Sequence, residues 1–145
     1  MKKTFQFNTN IETLWSYLRD IEKPKLWMDG LVSVKYVEPK DKSHITAYIL
    51  TIEEGKNNYN DYYGYIHTEE KPTKLKTISE NENFICTNEY ILSSHNNITT
   101  LDYSSQVICY KLKYKIIFGI IGGLFSKIMV NKFMKNLKKL VESNS

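Results

Sequence analysis

Three histidines, His44, His67 and His95, and two cysteines, Cys86 and Cys109, are the residues of this sequence best suited to proton transfer, nucleophilic attack or metal ligation. Their spacing combines them into nothing: zinc and related sites draw on clustered Cys and His, and these five are scattered. Nucleophilic or paired-carboxylate catalysis needs groups within hydrogen-bond reach of each other. No such constellation is legible, and His67, set beside tyrosines, is the single candidate for a lone acid or base. The ordinary alternative is an exposed histidine at a strand end. Gly119-Ile120-Ile121-Gly122-Gly123 lacks the Lys-Ser or Lys-Thr of a phosphate-binding loop, and no cofactor is expected. Tyrosine is the other chemical resource. The chain has 11 Tyr among 13% aromatic residues, each an apolar ring with one hydroxyl that needs a partner when buried. That favours an apolar site with wet edges over a dry core.

The elements that position these residues belong to one domain, 1–145. With 145 residues, 41% hydrophobic and 25% charged, the chain has the balance of an ordinary globular domain and no room for a second. Lys plus Arg is 20 against 16 Asp plus Glu, a net charge of +4, too mild to imply nucleic acid without a concentrated patch. Met1 to Asn10 has two lysines with no apolar run after them, so neither a secretory signal nor a transit peptide is expected, and the expected location is the cytoplasm.

Thr4 to Phe7 reads as a strand. Asn8-Thr9-Asn10 then offers capping residues before a helix whose positions Ile11, Leu14, Trp15 and Leu18 share one face. Pro24 opens a second short helix, Lys25 to Asp29, and Gly30 takes the left-handed conformation that ends it. A strand follows from Leu31 to Val37. Turn clusters at Pro39 to Ser43, Glu54 to Asn58, Glu69 to Thr73, Ser79 to Asn83 and Ser94 to Asn97 then delimit six strands in all. Connections this short imply an antiparallel meander. From Lys115 to Glu142 helical spacing returns. Ile117, Ile121, Leu124, Phe125, Ile128, Met129, Phe133, Leu137 and Leu140 stand against a polar edge of Lys127, Asn131, Lys135 and Lys138. Gly119, Gly122 and Gly123 delay the regular helix to near Leu124.

A four-residue loop at Ser94 to Asn97 would pair Ser93 with Ile98, Tyr90 with Leu101, Asn88 with Tyr103 and Cys86 with Ser105. The inward face is then Phe84, Cys86, Asn88, Tyr90 and Leu92 with Leu101, Tyr103, Ser105, Val107 and Cys109. This register sets Glu89 opposite Asp102, an unfavourable like-charge pair. It also sets Cys109 opposite Glu82, roughly 13 Å from Cys86 at about 3.3 Å per residue, too far for a disulfide.

The order of strand, two short helices, six antiparallel strands and a long final helix resembles the helix-grip fold of the START domains, the birch-pollen-allergen group and the polyketide cyclase and dehydrase group, the Bet v 1-like or SRPBCC superfamily. Phe7-Asn8-Thr9-Asn10-Ile11-Glu12-Thr13-Leu14-Trp15-Ser16-Tyr17-Leu18 looks like its opening strand and helix, and Pro24-Lys25-Leu26-Trp27 like its second helix. Glu69-Glu70-Lys71-Pro72-Thr73-Lys74-Leu75 is similar to its acidic, proline-containing turn, and Asn97-Ile98-Thr99-Thr100-Leu101-Asp102-Tyr103 to its Gly-Thr-x-Leu-x-Tyr strand. Asn136-Leu137-Lys138-Lys139-Leu140-Val141-Glu142 is similar to its closing helix. Asn96-Asn97-Ile98 departs from the usual glycine pair at the last hairpin. The resemblance implies an α+β fold, a curved seven-stranded antiparallel sheet wrapped around the C-terminal helix, with an apolar cavity between them for a hydrophobic small molecule such as a lipid, quinone or polyketide.

A curved sheet and one helix leave space that side chains do not fill, so a pocket of a few hundred Å³ is expected. Its polar candidates are Asn88, Tyr90 and Tyr103, with Trp27 at the mouth, Tyr62 and Ile66 from the tyrosine-rich strand, Leu101 from the last strand, and Phe125, Met129 and Phe133 from the helix. The competing reading is that these residues only pack the core. Asn88 and two tyrosines on one inward face need partners that an apolar core does not supply. Lys111, Lys113, Lys115, Lys127, Lys132, Lys135, Lys138 and Lys139 make the C-terminal third basic. That is either a solvated helix face or, with apolar Ile116 to Phe125 flanked by lysine, peripheral contact with an anionic membrane. The segment is too short to span a bilayer. Three functions remain open: carriage of an apolar ligand, a cyclase-like or dehydrase-like enzyme using His67 or a tyrosine as acid-base group, and a protein-interaction module.

Overall fold

A computed structural model of the chain describes residues 1–111 and 123–143, with side chains described in the final helix from 127 onward. The first strand, β1 (Lys2–Phe7), runs into α1 (Ile11–Arg19). Asn10 starts this helix because its side-chain oxygen accepts the Thr13 backbone N–H at 2.8 Å, satisfying one of the donors that a helix end leaves unpaired. Leu14, Trp15, Tyr17 and Leu18 are its buried residues. Pro24 lies in the first turn of a short 3₁₀ helix, Lys23–Leu26, slightly earlier than the sequence places it. Gly30 has φ +92°, so the left-handed turn expected there is present.

Six strands follow: β2 (Leu31–Val37), β3 (Ala47–Glu53), β4 (Tyr59–Glu70), β5 (Lys74–Glu80), β6 (Phe84–His95) and β7 (Ile98–Cys109). The sheet order is β1-β7-β6-β5-β4-β3-β2, and every neighbouring pair is antiparallel. The meander is therefore as expected, with β1 added at the far edge. Register shifts in β2 between Leu31 and Ser33, and in β4 between Ile66 and Thr68, mark irregularities of the kind that bend strands.

The β6–β7 hairpin corrects the sequence reading. The loop is the two residues Asn96 and Asn97, with φ of 49° and 63°, and His95 pairs with Ile98. Two successive left-handed residues are the signature of a tight hairpin turn whose twist matches the strands, and Asn tolerates that conformation better than other non-glycine residues. Tyr90 therefore faces Tyr103, Asn88 faces Ser105, Cys86 faces Val107 and Phe84 faces Cys109. The expected pairing was two residues out of step, a slip that preserves which side chains point inward. It removes the clash of like charges, since Glu89 faces Ser104 and lies 3.9 Å from Lys74. Both cysteines are free.

The C-terminal helix, α2 (Gly123–Ser143), lies against the concave face. Its buried residues are Val130, Met134, Leu137 and Val141, spaced by four, three and four. Phe133 and Leu140 are partly buried beside them, whereas Ile128 is 56% exposed, so the buried stripe is rotated from the expected one. Ile117, Ile121, Leu124 and Phe125 fall outside the residues whose side chains are described. Polar contacts fix the helix along its length. Asn136 donates to the Trp27 carbonyl at 3.2 Å, Lys138 to the Gln6 carbonyl at 3.2 Å, and the Asn8 N–H to Glu142 at 2.9 Å. Phe7, Leu14, Leu92, Leu101, Leu137 and Val141, each at most 2% exposed, form the tightly packed part of the core. Among the described residues no helix is long and apolar enough to cross a membrane.

Candidate ligand-binding site

Beyond that packed region the sheet and α2 diverge around a cavity of about 810 Å³. Alternation along the strands explains its lining, because residues two apart share a face. β3 contributes Tyr48, Leu50 and Ile52, β4 Tyr62 and Ile66, and β5 Leu75, Thr77 and Ser79. β6 contributes Phe84, Cys86, Asn88 and Tyr90, and β7 Tyr103, Ser105 and Val107. Met129, Val130, Phe133 and Met134 of α2 form the opposite wall, with Leu18, Arg19, Trp27 and Met28 from the first helices. A smaller hollow of about 360 Å³ beside Met1, Lys76, Glu89 and Gln106 belongs to the outer face of the sheet.

Eight of the ten expected site residues line the cavity: Trp27, Tyr62, Ile66, Asn88, Tyr90, Tyr103, Met129 and Phe133. Trp27, expected at the mouth, is instead buried, and its indole Nε1 has no hydrogen-bond partner among the described residues. Leu101 does not reach the cavity. It is fully buried in the packed core, where Thr99 on the same strand also donates to the Thr9 carbonyl at 2.8 Å. Phe125 lies in α2 but outside the described side chains, as does the apolar segment from Ile116 on which the membrane contact rests. His67 is exposed, bonded to the Thr68 hydroxyl at 2.8 Å, on the face of β4 opposite Ile66. It does not line the cavity, so the structure does not place the one histidine expected to serve as acid or base beside the candidate site. Among the described residues no cluster of His, Cys, Asp and Glu could hold a metal ion.

The polar groups of the cavity fall into three zones. In the floor, the Tyr103 hydroxyl donates to Asn88 Oδ1 at 2.7 Å, and Cys86 Sγ lies 3.9 Å from both Asn88 Oδ1 and Ser105 Oγ. At one end, Tyr62 donates to the Glu54 carboxylate, which also accepts from Asn60 at 2.9 Å. At the other end stand Tyr48, Tyr90 and Arg19. Arg19 Nε donates to Glu69 at 2.5 Å, and Nη2 to Thr46 Oγ1 at 3.3 Å. The Tyr90 ring leans on Tyr103 at 5.3 Å between centroids, tilted by 52°.

Burial sets the ionisation of these groups, because an apolar wall disfavours the charged form. It pushes Tyr48 up to about 12, with Arg19 partly opposing, and Tyr103 up to about 12. It raises Tyr90 well above the usual phenol value and raises the Cys86 thiol. Tyr62 is raised by burial and by its bond to Glu54. Near neutral pH the cavity therefore presents neutral hydroxyls and a neutral thiol, which are hydrogen-bonding groups rather than bases or nucleophiles.

Sequence reasoning missed Arg19 and Tyr48. Arg19 is the only arginine of the chain, directly after the buried Leu18. Tyr48 pairs with Gly64 across β3 and β4, and its ring fills the space that the missing side chain leaves. A glycine inside the tyrosine-rich strand was the available signal, since such a position invites close approach by a neighbour.

Curved sheet, gripping helix and the cavity between them together define the helix-grip fold, and comparison with solved structures agrees. A START superfamily protein from Mycobacterium smegmatis superposes with a TM-score of 0.80 at 14% identity, over 100% of this chain and 98% of that one. The di-domain ARO/CYC StfQ from the steffimycin biosynthetic pathway gives 0.76 at 4% identity, over 99% of this chain and 45% of that one, and Ara h 8.0201 gives 0.71 at 14%, over 99% and 97%. At these identities the likeness is one of fold. No family model and no curated protein matches the chain.

Proposed function

We propose that this protein binds an apolar small molecule of lipid, quinone or polyketide type between its sheet and α2, as a carrier or receptor rather than as an enzyme. The observation that supports this most is the cavity of about 810 Å³ with its predominantly aliphatic and aromatic wall. That is within the range of small-molecule sites, roughly 300–1,000 Å³. A protein interior is normally packed to crystal density, and an empty space of this size forfeits contacts that a better-filled core would make. An apolar ligand restores them. The neutral state of the cavity tyrosines and thiol leaves no base or nucleophile among them, which fits binding better than general-base or nucleophilic catalysis. The START and ARO/CYC proteins of the same fold lend the ligand class weight as analogy.

Titration with the apolar fluorophore N-phenyl-1-naphthylamine tests the proposal. One molecule should bind per chain with saturation. Thr77→Trp, which places an indole in the cavity from the central strand β5, should abolish that binding while leaving the cooperative unfolding transition intact. Undiminished binding in a folded Thr77→Trp variant would mean that the dye sits elsewhere.

A further inference from the structure

Resting on that reading of the cavity, we propose that its ligand carries a neutral carbonyl-type acceptor, a ketone, quinone or ester, seated at the hydroxyls of Tyr48 and Tyr90, with its apolar remainder between Leu50, Ile52 and Phe133. Tyr48 and Tyr90 are 7% and 9% exposed and both line the cavity. Neither hydroxyl makes a hydrogen bond among the described residues. The contrast with the neighbouring phenols is informative, since Tyr103 is engaged by Asn88 and Tyr62 by Glu54. Neither hydroxyl oxygen is cut off from solvent, so both open onto the cavity, and two such donors without a protein partner among the described residues mark a place where a ligand acceptor can bond. Burial keeps both phenols protonated, and Tyr48 lies close enough to Tyr90 to raise it further.

The charge balance selects a neutral acceptor over a carboxylate. The nearest cation, Arg19, is already paired with Glu69, and its Nη2 is turned to Thr46. The wall also carries three carboxylates, Glu54 bonded to Tyr62, Asp29 paired with Lys132 at 3.0 Å, and Glu53 next to Glu54, which add negative charge rather than a cation. A ligand anion placed here would be buried without an uncompensated cation, which is strongly unfavourable. A carbonyl oxygen, by contrast, has two lone pairs and needs only donors.

The test compares three nearly isosteric probes, 2-acetylnaphthalene, 2-ethylnaphthalene and 2-naphthoate, on the whole chain and on Tyr48→Phe and Tyr90→Phe, which remove only the hydroxyls. The expected result is tighter binding of the ketone than of the hydrocarbon. Each substitution should weaken the ketone about fivefold to tenfold, the usual effect of one hydrogen bond, and leave the hydrocarbon unchanged. The carbonyl stretch of the bound ketone should move to lower frequency in the parent and revert in the double variant. Equal affinity for ketone and hydrocarbon, insensitive to both substitutions, would overturn the acceptor site while leaving an apolar cavity standing. Preference for 2-naphthoate would overturn the neutral class. Failure of all three probes to bind would overturn the cavity reading itself.

Discussion

Adding a single methyl group at Gly64 tests how Tyr48 is held. A Cβ built there would lie 2.3, 2.9 and 3.1 Å from Cε2, Cδ2 and Cζ of the Tyr48 ring. Carbon atoms in contact sit at about 3.5–4.0 Å, so the ring must retreat by about 1.2 Å. Strand β4 blocks it on one side, and the open side is the cavity. Overpacking of this kind costs about 1–3 kcal/mol. Gly→Ala returns about 0.4–1 kcal/mol by restricting the unfolded chain, and Gly64 has no positive φ to oppose it. Gly64→Ala should therefore destabilise by about 1 kcal/mol net. In a Tyr48→Val background the obstruction is gone, and the same change should be neutral or stabilising by about 0.5 kcal/mol. Urea denaturation of the four proteins gives the coupling as a double-mutant cycle, expected at about 1–3 kcal/mol. An identical effect of Gly64→Ala in both backgrounds would refute the seating of this ring.

Two further outcomes follow from the tyrosines and the last hairpin. Tyr48 and Tyr103, at about 12, hold their protons above the ordinary value of 10, so between these limits the folded state binds more protons than the unfolded one. Stability should be unaffected by these groups below pH 10 and should fall as pH rises from 10 towards 12, by up to about 3 kcal/mol for each group. Unfolding curves across that range check this, and stability that stayed level to pH 12 would contradict it. Asn97→Gly should stabilise the β6–β7 turn by a few tenths of a kcal/mol, because glycine adopts φ near +63° without the Cβ penalty. A loss of stability in thermal unfolding would contradict the two-residue turn.

Much of the architecture was legible because its signals are local. Asn10 announces α1, Pro24 and Gly30 bracket the 3₁₀ turn, and the bounds of β2 follow from alternation between turn residues. The final hairpin was misregistered because Ser94 and His95 look like loop residues but are held in the strand by pairing with Thr99 and Ile98. The inward face survived that error because side chains repeat every two residues. On α2 the apolar residues are so numerous that several stripes were available, and contact with Phe7, Leu14 and Trp27 selects the one through Val130, Met134, Leu137 and Val141. Arg19 and Tyr48 were hidden for a different reason. What makes them part of the cavity is the meeting of the end of α1 with β3 and β4, a long-range event that neither local spacing nor composition records.

Intermolecular nuclear Overhauser contacts from bound N-phenyl-1-naphthylamine test most directly whether the hollow under α2 takes an apolar molecule. Contacts to the methyl groups of Leu50, Ile52, Ile66 and Met134, which converge from three elements on one space, are the result this account requires. Contacts confined to exposed apolar residues such as Leu26, Ile45 or Tyr110, with those methyl groups unmoved, would contradict it.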